Sequence, residues 1–366
     1  MDWMTQAVPQ AQGLYPYVPG KPIEQLLREK GLDEASKLAS NENAYGPSPK
    51  AMLAMHAAID ECHRYPDGDS HTLKTALAKK HAVHTNQILL GNGSNEVLEL
   101  VIRCFAGVGD EVIYSQHGFI VYALAAQAAG ATRVPVQDTS ELEHDLDAML
   151  SAITKRTKII CIANPNNPTG TLLSNDALQT FFDALPQHII VILDEAYDEF
   201  VSDIKTDSLT TLQYDGLLVS RTFSKAYGLA GCRIGYAVGN ADLLEAVNRF
   251  REPFNVNSLA QVAALAALDD VDWVMDKVTR IKQARTFLEQ QLAKRGLLSI
   301  KSFANFILLH HPEALALHQE LENIGIITRP LAGYGLPDYL RVSVGNDEEN
   351  TAFLDALDNV LSKLKT

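Results

Sequence analysis

The residues best suited to covalent chemistry lie between positions 220 and 235, where Lys225 stands among serine, alanine, glycine and tyrosine. A lysine that packs against apolar groups loses part of its hydration, which favours the neutral amine. The neutral amine is the form that a Schiff base with a carbonyl compound requires. Thr222, Ser224 and Arg233 add two hydroxyls and a guanidinium, which together can bind a phosphate group. The alternative is a polar loop in which the lysine is incidental.

A second possible phosphate site follows the apolar residues 88–90, which predict a short strand. Gly93, Ser94 and Asn95 come next and open a helix with an apolar stripe. The free N–H groups and the positive dipole at the start of such a helix attract anions. An ordinary capped helix is the alternative. A reactive lysine together with a phosphate site indicates pyridoxal phosphate as the cofactor.

Three more polar side chains follow apolar runs. Asp194 ends the run at 189–193, and a carboxylate at the end of a buried strand needs a cationic partner. A protonated pyridine nitrogen would be such a partner, whereas capping of the next turn is the alternative. Tyr197 can reach the same ligand. Asn167, in a turn fixed by prolines at 164–170, could donate a hydrogen bond to a phenolate oxygen.

The elements that position these residues alternate between apolar strands and helices. The expected strands after 88–90 are 111–114, 133–136, 158–162, 188–193 and 217–219. This pattern predicts an α/β fold with a mostly parallel sheet between helices, in which ligands bind at the carboxyl ends of the strands. We expect a large cofactor-binding domain at 45–260. A smaller α/β domain would combine 261–366 with the N-terminal arm 1–44, and the site would lie in the cleft between them.

The overall composition narrows the function further. At 366 residues the chain has room for two domains, and its net charge of −14 argues against general binding of nucleic acids or anionic membranes. Four scattered cysteines and the absence of a signal-peptide pattern predict reduced thiols and a cytoplasmic location. The histidines do not predict a metal site. No G-x-G-x-x-G motif follows a strand, which disfavours a nicotinamide dehydrogenase.

The order of these motifs resembles the fold-type I pyridoxal-phosphate aminotransferases. The sequence has Asn-Asn-Pro-Thr-Gly at 166–170, Asp-Glu-Ala-Tyr at 194–197 and Ser-Lys at 224–225 with an arginine downstream. The resemblance covers nearly the whole chain and is greatest to the branch that acts on L-histidinol phosphate. The motifs that narrow it lie at 17–22, 41–43, 64–68, 91–96 and 253–257.

The resemblance implies a role for each residue of the cofactor site. Lys225 would bind the cofactor covalently and move the substrate proton, with Asp194 on the pyridine nitrogen and Tyr197 and Asn167 on the ring's 3′ oxygen. Phe119, in a position that is often tyrosine, would stack on the ring. The cofactor phosphate would be held by Gly93, Ser94, Asn95, Thr222, Ser224 and Arg233. It would also meet Tyr65 of a neighbouring subunit, which implies a homodimer.

The implied reaction transfers the amino group of L-histidinol phosphate to 2-oxoglutarate. Arg341 lies in the alternating segment 339–344 and resembles the arginine that binds the substrate's acid group, and Arg329 is a second candidate. Tyr17 and Asn43 are the other expected substrate contacts. Surface salt bridges are the alternative role for the arginines.

Besides Phe119, one further departure from the family pattern and two rival functions remain at this level. Ala44 stands where many relatives carry proline, which predicts a less rigid loop at 41–49. An aromatic amino-acid aminotransferase, or an enzyme with both activities, would fit the same scaffold. A non-catalytic, cofactor-binding relative is the rival from another class, although the intact set of reactive residues argues against it.

Overall fold

A seven-stranded sheet forms the centre of the computed structural model, which describes residues 3–14, 20–297 and 299–364. The helices are α1 (Pro9–Gln12), α2 (Ile23–Lys30), α3 (Pro49–Ala58), α4 (His71–His81), α5 (Ser94–Phe105), α6 (Ile120–Ala129), α7 (Leu146–Ser151), α8 (Asn175–Asp183), α9 (Ser208–Thr211), α10 (Ala241–Asn248), α11 (Ser258–Leu268), α12 (Val271–Lys294), α13 (Ala314–Asn323) and α14 (Asp347–Leu364). The strands are β1 (Ser36–Lys37), β2 (Ile88–Gly91), β3 (Glu111–Ser115), β4 (Thr132–Val136), β5 (Thr157–Ala163), β6 (Ile190–Asp194), β7 (Leu217–Thr222), β8 (Gly235–Gly239), β9 (Ser299–Ile300), β10 (Phe306–His310), β11 (Ile326–Ile327), β12 (Arg329–Pro330) and β13 (Tyr339–Ser343).

The large sheet has the strand order β2-β8-β7-β6-β5-β3-β4. Every neighbouring pair is parallel except those that include β8, which runs antiparallel to both β2 and β7. The central strands are almost wholly apolar because helices cover both faces of the sheet, with α5 and α6 on one side and α7 and α8 on the other. The predicted mostly parallel α/β fold is confirmed.

Strand β8 is the element of this sheet that the sequence did not predict. It begins and ends with glycine, so it lacks the continuous apolar pattern of its neighbours. The structure gives Gly235 a physical reason, because a side chain there would strike the backbone of Ser94. The glycine therefore lets β8 pass directly beneath the start of α5, close to the predicted phosphate site.

A smaller four-stranded sheet has the order β12-β13-β10-β9, and β1 pairs in parallel with β11 beside it. The pairing of β1 attaches residues 36–37 to the last third of the chain. The precise division at 44/45 and 260/261 stays a prediction. Two helices, α11 and α12, follow the large sheet and are separated at Asp269 and Asp270. No helix in the described ranges has the length and apolarity needed to cross a membrane.

Candidate active site

A cavity of about 230 Å³ opens at the carboxyl ends of β5, β6 and β7, beside the start of α5. Strand β13 and the segment 40–42 face it from the other side. Most of the predicted site residues converge on its wall, as expected for polar groups that follow neighbouring parallel strands. The predicted residues that line it are Ser94, Asn95, Phe119, Asn167, Asp194, Tyr197, Thr222, Ser224, Lys225, Arg233 and Arg341.

Lys225 lies at the cavity wall just after β7. Phe223 and Ala226 on either side of it are fully buried, and they anchor the loop that presents the lysine. Its Nζ donates a hydrogen bond to the carbonyl oxygen of Ser40, at 3.1 Å. Burial, followed by the positive charge of Arg341, lowers the pKa of Lys225 to about 7. The neutral amine that Schiff-base chemistry needs is therefore well populated near neutral pH.

Asp194 lies at the end of β6 and lines the same cavity. Its Oδ2 accepts a hydrogen bond from the hydroxyl of Tyr122, at 2.9 Å. Its Oδ1 is buried and has no hydrogen-bond partner among the described residues. Burial raises the pKa of Asp194 to about 6. A buried carboxylate with one unused oxygen is suited to a protonated ring nitrogen.

Asn167 and Tyr197 line the same cavity, and both have polar partners from the small-sheet side. The Nη1 of Arg341 donates to Oδ1 of Asn167 at 2.6 Å, and Nδ2 of Asn41 donates to the hydroxyl oxygen of Tyr197 at 3.0 Å. Burial raises the pKa of Tyr197 to about 12, although the charge of Arg341 and the bond from Asn41 oppose that rise. Tyr197 is therefore a neutral phenol at physiological pH.

The two predicted phosphate segments meet at the start of α5. Gly93 has a φ of 84°, and a side chain there would collide with the guanidinium of Arg233. Arg233 Nη1 lies 3.4 Å from the Ser224 hydroxyl, to which it donates. The Thr222 hydroxyl accepts a bond from the Ser224 amide at 3.1 Å. Hydroxyls, a guanidinium and a helix N-terminus thus converge as an anion site.

These residues fit pyridoxal phosphate. The anion site suits the cofactor phosphate, and the unpartnered Oδ1 of Asp194 suits its pyridine nitrogen. Lys225 lies on the same cavity wall with a pKa close to neutrality. Phe119 also lines the cavity and packs edge-to-face on Tyr122, with ring centroids 5.9 Å apart.

Besides Gly93, four predicted site residues lie away from this wall or beyond the described ranges. Asn43 donates to the Ala226 carbonyl at 2.9 Å and accepts from the Tyr45 amide at 3.0 Å, so its substrate contact stays a prediction. Arg329 lines a neighbouring cavity of about 720 Å³, which shares Phe119 and Tyr334 with the first. Tyr17 lies outside the described residues.

Tyr65 is the fourth of these residues, and it lies on the surface. Its side chain is 83% exposed and stacks on Phe254, with ring centroids 4.7 Å apart. An exposed aromatic pair of this kind is suited to a contact with another molecule. Its predicted role in a second subunit stays a prediction.

The structure also adds positioning groups that the sequence analysis missed. Tyr122 lies on α6, three residues after Phe119, and its spacing is that of a core residue of the helix. Behind the site, the fully buried Glu195 accepts bonds from Arg221 at 2.7 Å and Lys205 at 2.6 Å. Charges at the ends of apolar strands were the available signal for this second cluster.

Comparisons with known proteins agree with this geometry. Residues 34–357 match the family model of the class I and II aminotransferases. Histidinol-phosphate aminotransferase of Methylobacillus flagellatus is 47% identical over 354 residues, which are 96% of each chain. Histidinol-phosphate aminotransferase 1 of Idiomarina loihiensis is 49% identical over 352 residues, or 95% of this chain and 96% of that one. The crystal structure of histidinol-phosphate aminotransferase from Sinorhizobium meliloti in complex with pyridoxal-5′-phosphate superposes with a TM-score of 0.90, at 29% identity and 98% coverage of both chains.

Proposed function

The chain belongs to the class I and II aminotransferases, and we propose that it transfers the amino group of L-histidinol phosphate to 2-oxoglutarate. The products are imidazole acetol phosphate and glutamate, and the reaction belongs to L-histidine biosynthesis. The cofactor is pyridoxal phosphate. The observation that carries the proposal is the half-buried lysine that lines one cavity with an unpartnered carboxylate oxygen and an anion site, in a chain whose curated relatives bear this enzyme's name.

Lys225 is the proposed catalytic base. When bound, pyridoxal phosphate supplies an aldehyde that bonds an amino group and a ring that accepts electron density from an adjacent bond. The Nζ of Lys225 then takes the proton from the amino-bearing carbon of the substrate and holds it for return. A pKa of about 7 suits both halves of that task, because the amine gains and loses a proton readily at neutral pH.

Asp194, Asn167 and Tyr197 orient the cofactor and set its charge in this proposal. The carboxylate of Asp194 keeps a proton on the pyridine nitrogen, and the charge-assisted bond is strong because the site is buried. Asn167 and Tyr197 offer an N–H and an O–H to the ring's 3′ oxygen. Ser94, Thr222 and their neighbours hold the phosphate, so that the cofactor is fixed at both ends.

Arg341 and Arg329 are the proposed acid-binding residues. Arg341 is buried in the cavity wall, and its Nε has no hydrogen-bond partner among the described residues, so it has a donor to offer. Arg329 stands opposite Arg341 in the register of β12 and β13, and its cavity adjoins the first. The same arginines would receive the phosphate of the amino donor and the carboxylates of the acceptor in turn.

The proposal includes a cytoplasmic homodimer. Tyr65 is absent from the cavity wall of its own chain and is exposed, which supports its reaching the cofactor phosphate of a second subunit. The four cysteines are all free thiols, as expected in a reducing compartment. Subunits of Tyr65→Ala and Lys225→Ala, each inactive alone, should regain activity when mixed, because one site of the mixed dimer is intact. Mixtures that stay inactive although mixed dimers form would contradict the shared site.

An aromatic amino-acid aminotransferase is not favoured, since the similar curated proteins are named for histidinol phosphate. The visible absorption of the holoenzyme tests the choice when each amino donor is added without an acceptor. We expect L-histidinol phosphate to remove the cofactor–lysine band at far lower concentration than L-phenylalanine. Equal responses would indicate a broad aromatic enzyme. Absence of the band after addition of pyridoxal phosphate would overturn the cofactor assignment.

Two variants complete this experiment. Lys225→Ala should abolish turnover while the fold persists, because it removes the reactive amine and little of the core. Arg329→Ala should reduce turnover of L-histidinol phosphate much more than turnover of L-phenylalanine, since the latter has no phosphate. Circular dichroism of both variants controls for folding.

A further inference from the structure

Asn41 occupies a buried position where the two sheets meet. It is only 1% exposed and has a φ of 55°, in the left-handed region that asparagine tolerates better than most residues. Its carbonyl oxygen accepts a bond from Nδ2 of Asn305 at 3.0 Å. The neighbouring Ser40 carbonyl accepts the bond from Lys225, so this segment lies directly against the reactive amine.

The side chain of Asn41 is held in one orientation by Ser343 on β13. The Ser343 hydroxyl accepts a hydrogen bond from the backbone N–H of Asn41 at 2.8 Å and donates its own hydrogen to the side-chain Oδ1 of Asn41 at 3.1 Å. With Oδ1 engaged in this way, the Nδ2 group turns to Tyr197 and donates to its hydroxyl oxygen at 3.0 Å. The small-sheet side thus fixes which end of the amide faces the tyrosine.

The direction of that bond decides what Tyr197 can do in the cavity. A phenol has a single hydrogen to donate. Because Tyr197 accepts from Asn41, its hydrogen remains for a bond into the cavity that it lines. Arg341 has a similar effect on Asn167. It donates to Oδ1 of Asn167, so the side-chain Nδ2 of Asn167 remains as the donor. Both groups are therefore suited to donate a hydrogen bond to an oxygen that carries negative charge.

We infer that Asn41 is a positioning residue that fixes Tyr197 as a hydrogen-bond donor to the cofactor's ring oxygen and, through Ser343, links that donor to the strand that carries Arg341. The inference rests on the proposed function, since the ring oxygen belongs to the proposed cofactor. Asn41 acts through Tyr197 and needs no contact with the reacting atoms.

Asn41→Asp is the sharpest test, because it keeps the size of the side chain and its tolerance of the left-handed backbone. A carboxylate cannot donate, so it would accept the Tyr197 hydrogen and reverse the bond. The readout is the pH midpoint at which the visible band of the holoenzyme changes. Donors to the ring oxygen stabilise its negative charge, so their loss should raise this midpoint by about one unit, in the direction expected for Tyr197→Phe.

The negative charge that Asn41→Asp introduces would raise the midpoint by itself, and a double variant separates the two effects. In a Tyr197→Phe background only the charge acts, so the shift caused by Asn41→Asp should be clearly smaller there than in the wild-type background. Equal shifts in the two backgrounds would overturn the inference. A wild-type protein without any visible band would instead overturn the proposed function.

Ser343→Ala tests the link to β13 with little risk to the fold. It removes the hydroxyl that orients the Asn41 amide but leaves the cavity wall unchanged. We expect the midpoint to rise by a few tenths of a unit, roughly the effect of loosening rather than losing one hydrogen bond. A midpoint identical to that of the wild type would refute the link through Ser343.

Discussion

Replacing Asp194 with asparagine should stabilise the cofactor-free protein while it destroys the enzyme. Burial raises the pKa of this carboxyl from its ordinary 3.8 to about 6, and the side chain is only 4% exposed. A pKa that is higher in the folded than in the unfolded chain means that stability is greatest below pH about 4 and falls as the pH rises through about 6. Above that range the buried charge of Asp194 lowers the free energy of unfolding by about 3 kcal/mol. Asparagine keeps the shape and an acceptor for Tyr122 but carries no charge.

The assay is urea denaturation of cofactor-free wild type and Asp194→Asn at equal protein concentration, at pH 8 and pH 5. The variant should be more stable by about 3 kcal/mol at pH 8 and by roughly half of that at pH 5, where the folded wild type is mostly protonated. Glu111→Gln is the matched control, because the hydroxyl of Thr154 holds the pKa of that buried carboxyl below its ordinary value. The control should lose stability at pH 8. If Asp194→Asn does not raise the free energy of unfolding, or raises it equally at both pH values, the reasoning is refuted.

The remaining predictions concern two groups behind the site. Tyr122→Phe removes a hydrogen bond to a buried carboxylate, worth about 1.5–3 kcal/mol, so the pKa of Asp194 should rise by one to two further units. The pH below which cofactor binding weakens should therefore rise as well. An unchanged pH dependence of cofactor binding would contradict the role of Tyr122. Arg221→Met leaves Glu195 with only part of its cationic support and should lower the free energy of unfolding by about 3–5 kcal/mol. By comparison, Arg295→Met at a half-exposed pair should cost at most about 1 kcal/mol in the same urea titration.

The reactive core of the site could be predicted from the sequence because each residue breaks a local pattern. Asp194 is a charge at the end of an apolar strand, and Lys225 is a cation among small and apolar residues. The alternation of strands and helices then places both at one edge of the sheet, since parallel strands end together. Local pattern and topology agree at these positions, so the prediction needed no knowledge of distant contacts.

Other positions depend on contacts that no local pattern carries. Tyr122 looks like a core residue of α6, and its bond to Asp194 exists only because helix α6 covers the face of the sheet toward which that carboxylate points. Strand β8 lacks an apolar run because Gly235 must pass under α5. Asn41 stands in a loop, and its partners Tyr197 and Ser343 lie 156 and 302 positions away in the chain.

The loop at 39–43 explains why this site needs both sheets to be complete. Lys225 donates to the Ser40 carbonyl and Tyr197 accepts from Asn41, while Arg341 donates to the Ala39 carbonyl at 2.7 Å. One short segment therefore hydrogen-bonds the amine of Lys225, the phenol of Tyr197 and the guanidinium of Arg341 at once. A shift of the small sheet relative to the large one would alter all three bonds together, because the segment has partners on both sides. Under the proposed function, a substrate acid group bound by Arg341 would therefore change the surroundings of Lys225 without touching it.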